Sequence, residues 1–317
     1  ISATVDGTKA IVSTGTGNDS ITVDTATLTK AISLGDGTDT LTFSTATLTL
    51  PTASSVDGGD GTDTIVMTTA SAESLDANVN FANAIASFER LTISDATAAT
   101  IEADNLGFDY VTYAAAATGT LNDFANNGTV VLQAATNAAT VTLDDASGLT
   151  DVLNVITNVA QIAVNAGSLT AALVETINIT ADDTDNDHDS DGNLFETGER
   201  QLSTLDLNAT SATTVTIDGD ANLTLDMTGN TAATTINAAT LTGDLTVTSY
   251  AASATVTGGT GDDALTASAN SNALLGGDGN DTLTVAAGAD GVMLTGGAGT
   301  NTFAFGVAST VNDYATI

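Results

Sequence analysis

Six short stretches set Asp or Asn inside glycine-rich turns at a fixed spacing, and these residues are the best equipped for chemistry. Near the start they read Gly15-Thr16-Gly17-Asn18-Asp19, Gly35-Asp36-Gly37-Thr38-Asp39 and Gly58-Gly59-Asp60-Gly61-Thr62-Asp63. Near the end they read Gly258-Gly259-Thr260-Gly261-Asp262-Asp263, Gly276-Gly277-Asp278-Gly279-Asn280-Asp281 and Gly296-Gly297-Ala298-Gly299-Thr300-Asn301. Glycine tolerates positive φ, so such a turn can aim several backbone carbonyls at one point. A hard cation such as Ca²⁺ takes about six to eight oxygen ligands, which carbonyls and one or two carboxylates can supply. One turn offers half a cage, and two turns stacked a coil apart close it. The expected principal ligands are the sixth-position carboxylates Asp19, Asp39, Asp63, Asp263 and Asp281, with Asp36, Asp60 and Asp278 at the third position as second carboxylates. The turn residues Gly15, Gly17, Gly35, Gly37, Gly58, Gly59, Gly61, Gly258, Thr260, Gly261, Asp262, Gly276, Gly279, Gly296 and Ala298 would complete the cages. Asn301 stands where the last copy needs Asp, which should weaken a site there, and Thr14 and Leu34 replace the leading glycine of the first two copies. Any one turn alone reads equally well as a plain Asp-Gly connection. Repetition in register, with an apolar residue two positions after each sixth residue, points to calcium.

A second acidic run carries Asp185, Asp187, Asp189 and Asp191 ahead of Gly192, which opens like the D-x-D-x-D-G of an EF-hand loop. The position that should hold the closing Glu is Gly198, while Glu196 and Glu199 lie to either side. A variant calcium loop is the expectation, with a solvated acidic hairpin as the alternative. His188 reads as a solvent-facing loop residue, because the chain has no second His and no Cys to complete a transition-metal site.

The turns must be positioned by something that repeats. The stretch from Gly15 to Thr29 recurs almost residue for residue from Gly35 to Thr49, displaced by 20, and the C-terminal copies are displaced by 18 and then 20. Between them, short units such as Leu91-Thr92-Ile93, Thr140-Val141-Thr142-Leu143, Thr176-Ile177-Asn178-Ile179 and Thr214-Val215-Thr216-Ile217 alternate apolar with polar or β-branched residues, as strands do. From Ser203 to Thr257 such units recur about every 10 residues. The expected fold is all-β, a parallel β-solenoid with β-roll coils at both ends, a β-helix-like middle and a few short helices. The pattern divides into coils over 1–70, a Thr/Ala-rich solenoid over 71–257 with the acidic insertion at 181–200, and a C-terminal roll over 258–317. Helices are expected at Ala72 to Phe88 and Leu149 to Val159. The turns Ala267 to Asn272 and Ala287 to Val292 lack glycine-aspartate loops, so one edge of the C-terminal roll should carry ions and the other should not.

Thirty-nine acidic residues against four basic ones give a formal net charge of −35, which repels nucleic acid and anionic membranes. With 42% hydrophobic residues the chain should nonetheless fold once that charge is neutralised. It offers no Cys for disulfides, no apolar run long enough to span a bilayer, no HExxH and no GxSxG. Catalysis is not expected, although β-helices that cleave polysaccharides keep a carboxylate-pair enzyme as a distant alternative. Since Ile1 is not a start Met, the chain is read as a piece of a larger protein, with any signal or anchor outside it.

The turns match the nonapeptide G-G-x-G-x-D-x-U-x at every fixed position in 58–66 and 276–284. Together with the units LVETINIT from Leu173 and TVTIDGDANLTLDMTG from Thr214, the chain resembles RTX-type bacterial surface-layer proteins. That resemblance implies several bound Ca²⁺ ions, type I secretion, folding triggered by extracellular calcium and a place at the cell surface. It also implies copies of the chain as partners in a lattice, with attachment to surface polysaccharide through a part outside this chain. An adhesin or biofilm-matrix protein is the alternative.

Overall fold

Period-two alternation sends successive side chains to opposite faces of a strand, so Ile21 and Val23 turn inward while Thr22 stays half-buried on the other face. The same pattern recurs at Leu41 and Phe43, Ile65 and Met67, and Leu91 and Ile93, each at most 1% exposed. A single coil cannot cover such a face, so coils stack and bury one another's apolar residues, each worth about 1.5–3 kcal/mol.

The computed structural model describes residues 1–45, 48–50, 55–77, 81–134, 137–145, 148–158, 163–182 and 202–306. The chain is an all-β parallel β-solenoid of about 13 turns. It divides into two units, Ile1–Val131 with Ala139–Asp145, and Leu132–Ala138 with Ala146–Ile317.

In the first unit, strands Ser2–Val5, Ser20–Val23, Thr40–Phe43, Thr64–Met67, Arg90–Ile93 and Tyr110–Tyr113 pair in parallel, with Ile21 opposite Leu41 and Leu41 opposite Ile65. A second parallel sheet, Val12–Thr16, Ile32–Gly37, Val56–Gly61 and Ile85–Ala86, carries the glycine turns. Helix Thr69–Asp76 starts where the Thr68 hydroxyl accepts the Ser71 N–H, a side-chain cap for an otherwise unpaired donor. The expected helix from Ala72 to Phe88 is corrected here. The chain forms Thr69–Asp76, then the short helix Phe81–Ala84, then a strand in which Ile85 pairs with Val56 and Ala86 with Asp57. Pairing with the coil beneath satisfies the backbone that a longer helix would have used.

The second unit repeats the plan. Strands Val152–Asn158, Thr176–Asp182, Thr214–Gly219, Thr235–Leu241, Thr255–Thr257, Ala273–Asp278 and Met293–Ala298 form one parallel face. Ala163–Thr170, Leu202–Asn208, Asn222–Asp226, Leu245–Ser249, Ala264–Ala267, Thr282–Val285 and Thr302–Phe305 form another. Two strands per coil explain the ten-residue recurrence, since Leu202 pairs with Asn222 and Thr235 with Thr255. The helix expected over Leu149 to Val159 gives way to the strand Val152–Asn158. Leu153, Val155 and Thr157 are buried and alternate with half-buried neighbours, a period of two that suits pairing with Thr176–Asp182.

Candidate metal centres on the glycine-aspartate edge

Stacking brings the turns into register. Gly15 lies opposite Gly35 and Gly35 opposite Gly59, as Gly277 lies opposite Gly297. A Cβ added at Gly59 would fall 1.8 Å from the Gly35 carbonyl oxygen, and the φ of +104° there belongs to the left-handed region. The repeat needs glycine because carbonyls of the neighbouring coil occupy the space of a side chain.

Each sixth-position side chain then reaches one coil back. Asp39 Oδ1 accepts the Asp19 N–H at 2.8 Å, and Asp63 Oδ1 accepts the Asp39 N–H at 2.7 Å. At the other end, Asp263 Oδ1 accepts the Leu245 N–H at 2.7 Å and Asp281 Oδ1 accepts the Asp263 N–H at 3.0 Å. Asn301 continues this ladder through Oδ1 to the Asp281 N–H at 2.9 Å. The structural half of the aspartate's role therefore needs only a carbonyl-type oxygen.

The second carboxylate oxygen has a different fate. Oδ2 of Asp19, Asp39, Asp63 and Asp281 is buried and meets no hydrogen-bond donor among the described residues. Asp39, Asp63 and Asp281 are 0% exposed. Around them, carbonyls converge: a Cβ on Gly276 would sit 2.0 Å from Asp281 Oδ2 and 2.4 Å from the Gly296 oxygen. A Cβ on Gly258 would likewise meet Asp263 Oδ2 at 2.1 Å and the Gly276 oxygen at 2.2 Å. At Gly276 the two nearest atoms are a carboxylate and a carbonyl oxygen, which fits a hard cation, whereas at Gly258 the carboxylate oxygen, Asp263 Oδ2, already accepts the Gly259 N–H at 2.7 Å. Burial without a counter-charge pushes the Asp63 and Asp281 carboxyls up and drives Asp263 to about 6.

The remaining expected ligands are placed differently. Asp36, Asp60 and Asp278 are exposed, whereas the sixth-position carboxylates lie beneath the turn. Asp262 Oδ1 accepts the Asn280 N–H at 2.7 Å, and Asn280 Oδ1 accepts the Thr300 N–H at 2.9 Å, so fifth-position side chains build a second, exposed ladder in the opposite direction. Asp185, Asp187, Asp189, Asp191, Glu196 and Glu199 fall outside the described residues, as does His188. The opposite edge of the C-terminal roll is joined by neutral groups: Asn272 Nδ2 donates to the Ala251 carbonyl at 3.0 Å and Asn270 Oδ1 accepts the Asp290 N–H at 2.8 Å.

Sequence reasoning missed two features. Glu89 and Glu175 stand in the ladder position, accepting the N–H of Asp63 at 2.8 Å and of Asp151 at 3.1 Å. An acid immediately before a strand, as in Glu89-Arg90-Leu91 or Glu175-Thr176-Ile177, was the available signal. Glu102, Asp104 and Asp123 also gather their carboxylates closely enough to share an ion, beside a depression of about 270 Å³. Asp123 comes from the coil after that of Glu102 and Asp104, and no motif marks them.

No protein-family model matches this chain, and no curated protein is significantly similar to it. The fold defines a class, the parallel β-solenoid.

Proposed function

We propose that this chain is a calcium-dependent structural solenoid of a bacterial surface layer, with the glycine-aspartate edge as its ion store. The observation that carries the reading is the row of buried Oδ2 atoms with no donor among the described residues, those of Asp63 and Asp281 beside carbonyls of the adjoining coil. A buried carboxylate oxygen left unpaired costs about 1–3 kcal/mol, so an ion between coils turns a liability into a staple. Asp39, Asp63 and Asp281 with the turn carbonyls would hold Ca²⁺, which would supply the counter-charge for folding, and Asp263, whose oxygens accept the Leu245 and Gly259 N–H groups, would add negative charge beside it. At Asn230, 1% exposed, a neutral amide holds the coils instead, taking the Ala209 N–H at 2.8 Å and donating to the Leu207 carbonyl.

A charge of −35 also governs association, because acidic surfaces approach one another only with a divalent ion between them. Stabilisation of the fold and lattice assembly thus share one trigger, and in the low-calcium cell interior the marginally stable chain stays exportable. Titrating calcium into the stripped chain, followed by far-UV circular dichroism, light scattering and electron microscopy, tests this. Folding succeeded by ordered sheets is the expected result. A folded monomer that never assembles would move the reading to an adhesive stalk, and no response to calcium would end it.

A further inference from the structure

The coil Ile85 to Glu89 contains no glycine, yet it stacks on the third nonapeptide as though it were a fourth. Val56 pairs with Ile85 and Asp57 with Ala86, which brings Ser87 opposite Gly58. Thr64 pairs with Arg90, which brings Glu89 opposite Asp63. Ser87 adopts a φ of +57°, in the left-handed region that the neighbouring turn gives to the glycine one position later, Gly59. The Ser87 carbonyl oxygen lies 1.9 Å, and Asp63 Oδ2 2.7 Å, from where a Cβ on Gly58 would be. The equivalent pair at Gly276 is the Gly296 oxygen at 2.4 Å and Asp281 Oδ2 at 2.0 Å. Glu89 Oε2 accepts the Asp63 N–H, just as Asp281 Oδ1 accepts the Asp263 N–H. Asp63 is 0% exposed and its Oδ2 lacks a donor among the described residues, as does the buried Oδ1 of Asp57.

We propose that Asp63 Oδ2, the Ser87 carbonyl and the second carboxylate oxygen of Glu89 form a calcium site between a nonapeptide and this motif-less coil, with Asp57 adding negative charge. The inference rests on the calcium reading above and extends it to residues outside any repeat. Such an ion closes the N-terminal row where the helix-bearing coils begin. Without it, Asp63 would end the row as a buried carboxylate facing an acidic lid.

The test uses the full chain with calcium alone as probe, by equilibrium dialysis. Gly58→Ala, whose methyl fills the cradle, is expected to bind one ion fewer per chain. Glu89→Gln keeps an acceptor for the Asp63 N–H but loses the charge, and should bind one ion at least about tenfold more weakly. If both variants bind as many ions as tightly as the wild type, the site does not exist. Should Gly58→Ala fail to fold, Glu89→Gln decides by itself. A wild-type chain that binds no calcium would overturn the whole reading, an outcome distinct from variants that match a calcium-binding wild type.

Discussion

Replacing Asp281 by Asn separates the two duties of the sixth position. Asp281 Oδ1 supports the Asp263 N–H at 3.0 Å, while Oδ2 is buried without a donor among the described residues. Asn301 shows how an amide fits the same place, with Oδ1 on the Asp281 N–H at 2.9 Å and Nδ2 donating to the Gly297 carbonyl at 3.3 Å. Asp281→Asn therefore keeps the ladder bond, discharges a buried carboxylate and adds a donor where none was present. In calcium-free buffer this should stabilise the C-terminal coils by about 1–3 kcal/mol, the usual cost of a buried acceptor without a partner. Their melting midpoint should rise by roughly 2–10 °C. In calcium the gain is cancelled or reversed, because a site saturated at a hundred times its Kd contributes about 2.7 kcal/mol that the variant forfeits. Thermal melts by circular dichroism with and without calcium, on wild type and variant, read both effects. A variant that melts lower than wild type in chelator and gains as much from calcium would refute the assignment of Oδ2 to an ion.

The acid dependence should follow Asp263, pushed up to about 6 by burial against 3.8 for a free carboxyl. Between those values the folded calcium-free chain holds a proton that the unfolded chain has released, so the stability this group contributes is fully present below pH 3.8, is lost as pH rises through about 6 and is level above. Calcium competes with that proton, so calcium affinity measured by titration calorimetry should drop as pH falls through about 6. Asn230→Ala strands the Ala209 N–H and the Leu207 carbonyl in the core; we expect a loss of about 2–4 kcal/mol, equal in chelator and in calcium, measured by melting.

Much of the architecture was legible because it is local. The alternation in Asp19-Ser20-Ile21-Thr22-Val23 and its copies names a strand and its inward face, and the spacing of the copies names the coil. Helix assignment failed at Ala72 to Phe88 and at Leu149 to Val159 for one reason. Short apolar stretches satisfy both periods, and pairing with the coil beneath decides between them, as Val56 does for Ile85 and Thr176 for Val152. The glycine turns and their sixth-position aspartates could likewise be read from spacing alone, since each is one contiguous stretch of chain. Which aspartate goes under the turn and which faces water could not, because burial of Asp63 and exposure of Asp60 arise only when the next coil arrives. The grouping of Glu102 and Asp104 with Asp123, and of Ser87 and Glu89 with Asp63, belongs to the same category. A sequence determines what each coil can offer, but contacts between residues some 20 to 26 positions apart exist only once parallel stacking has set the register.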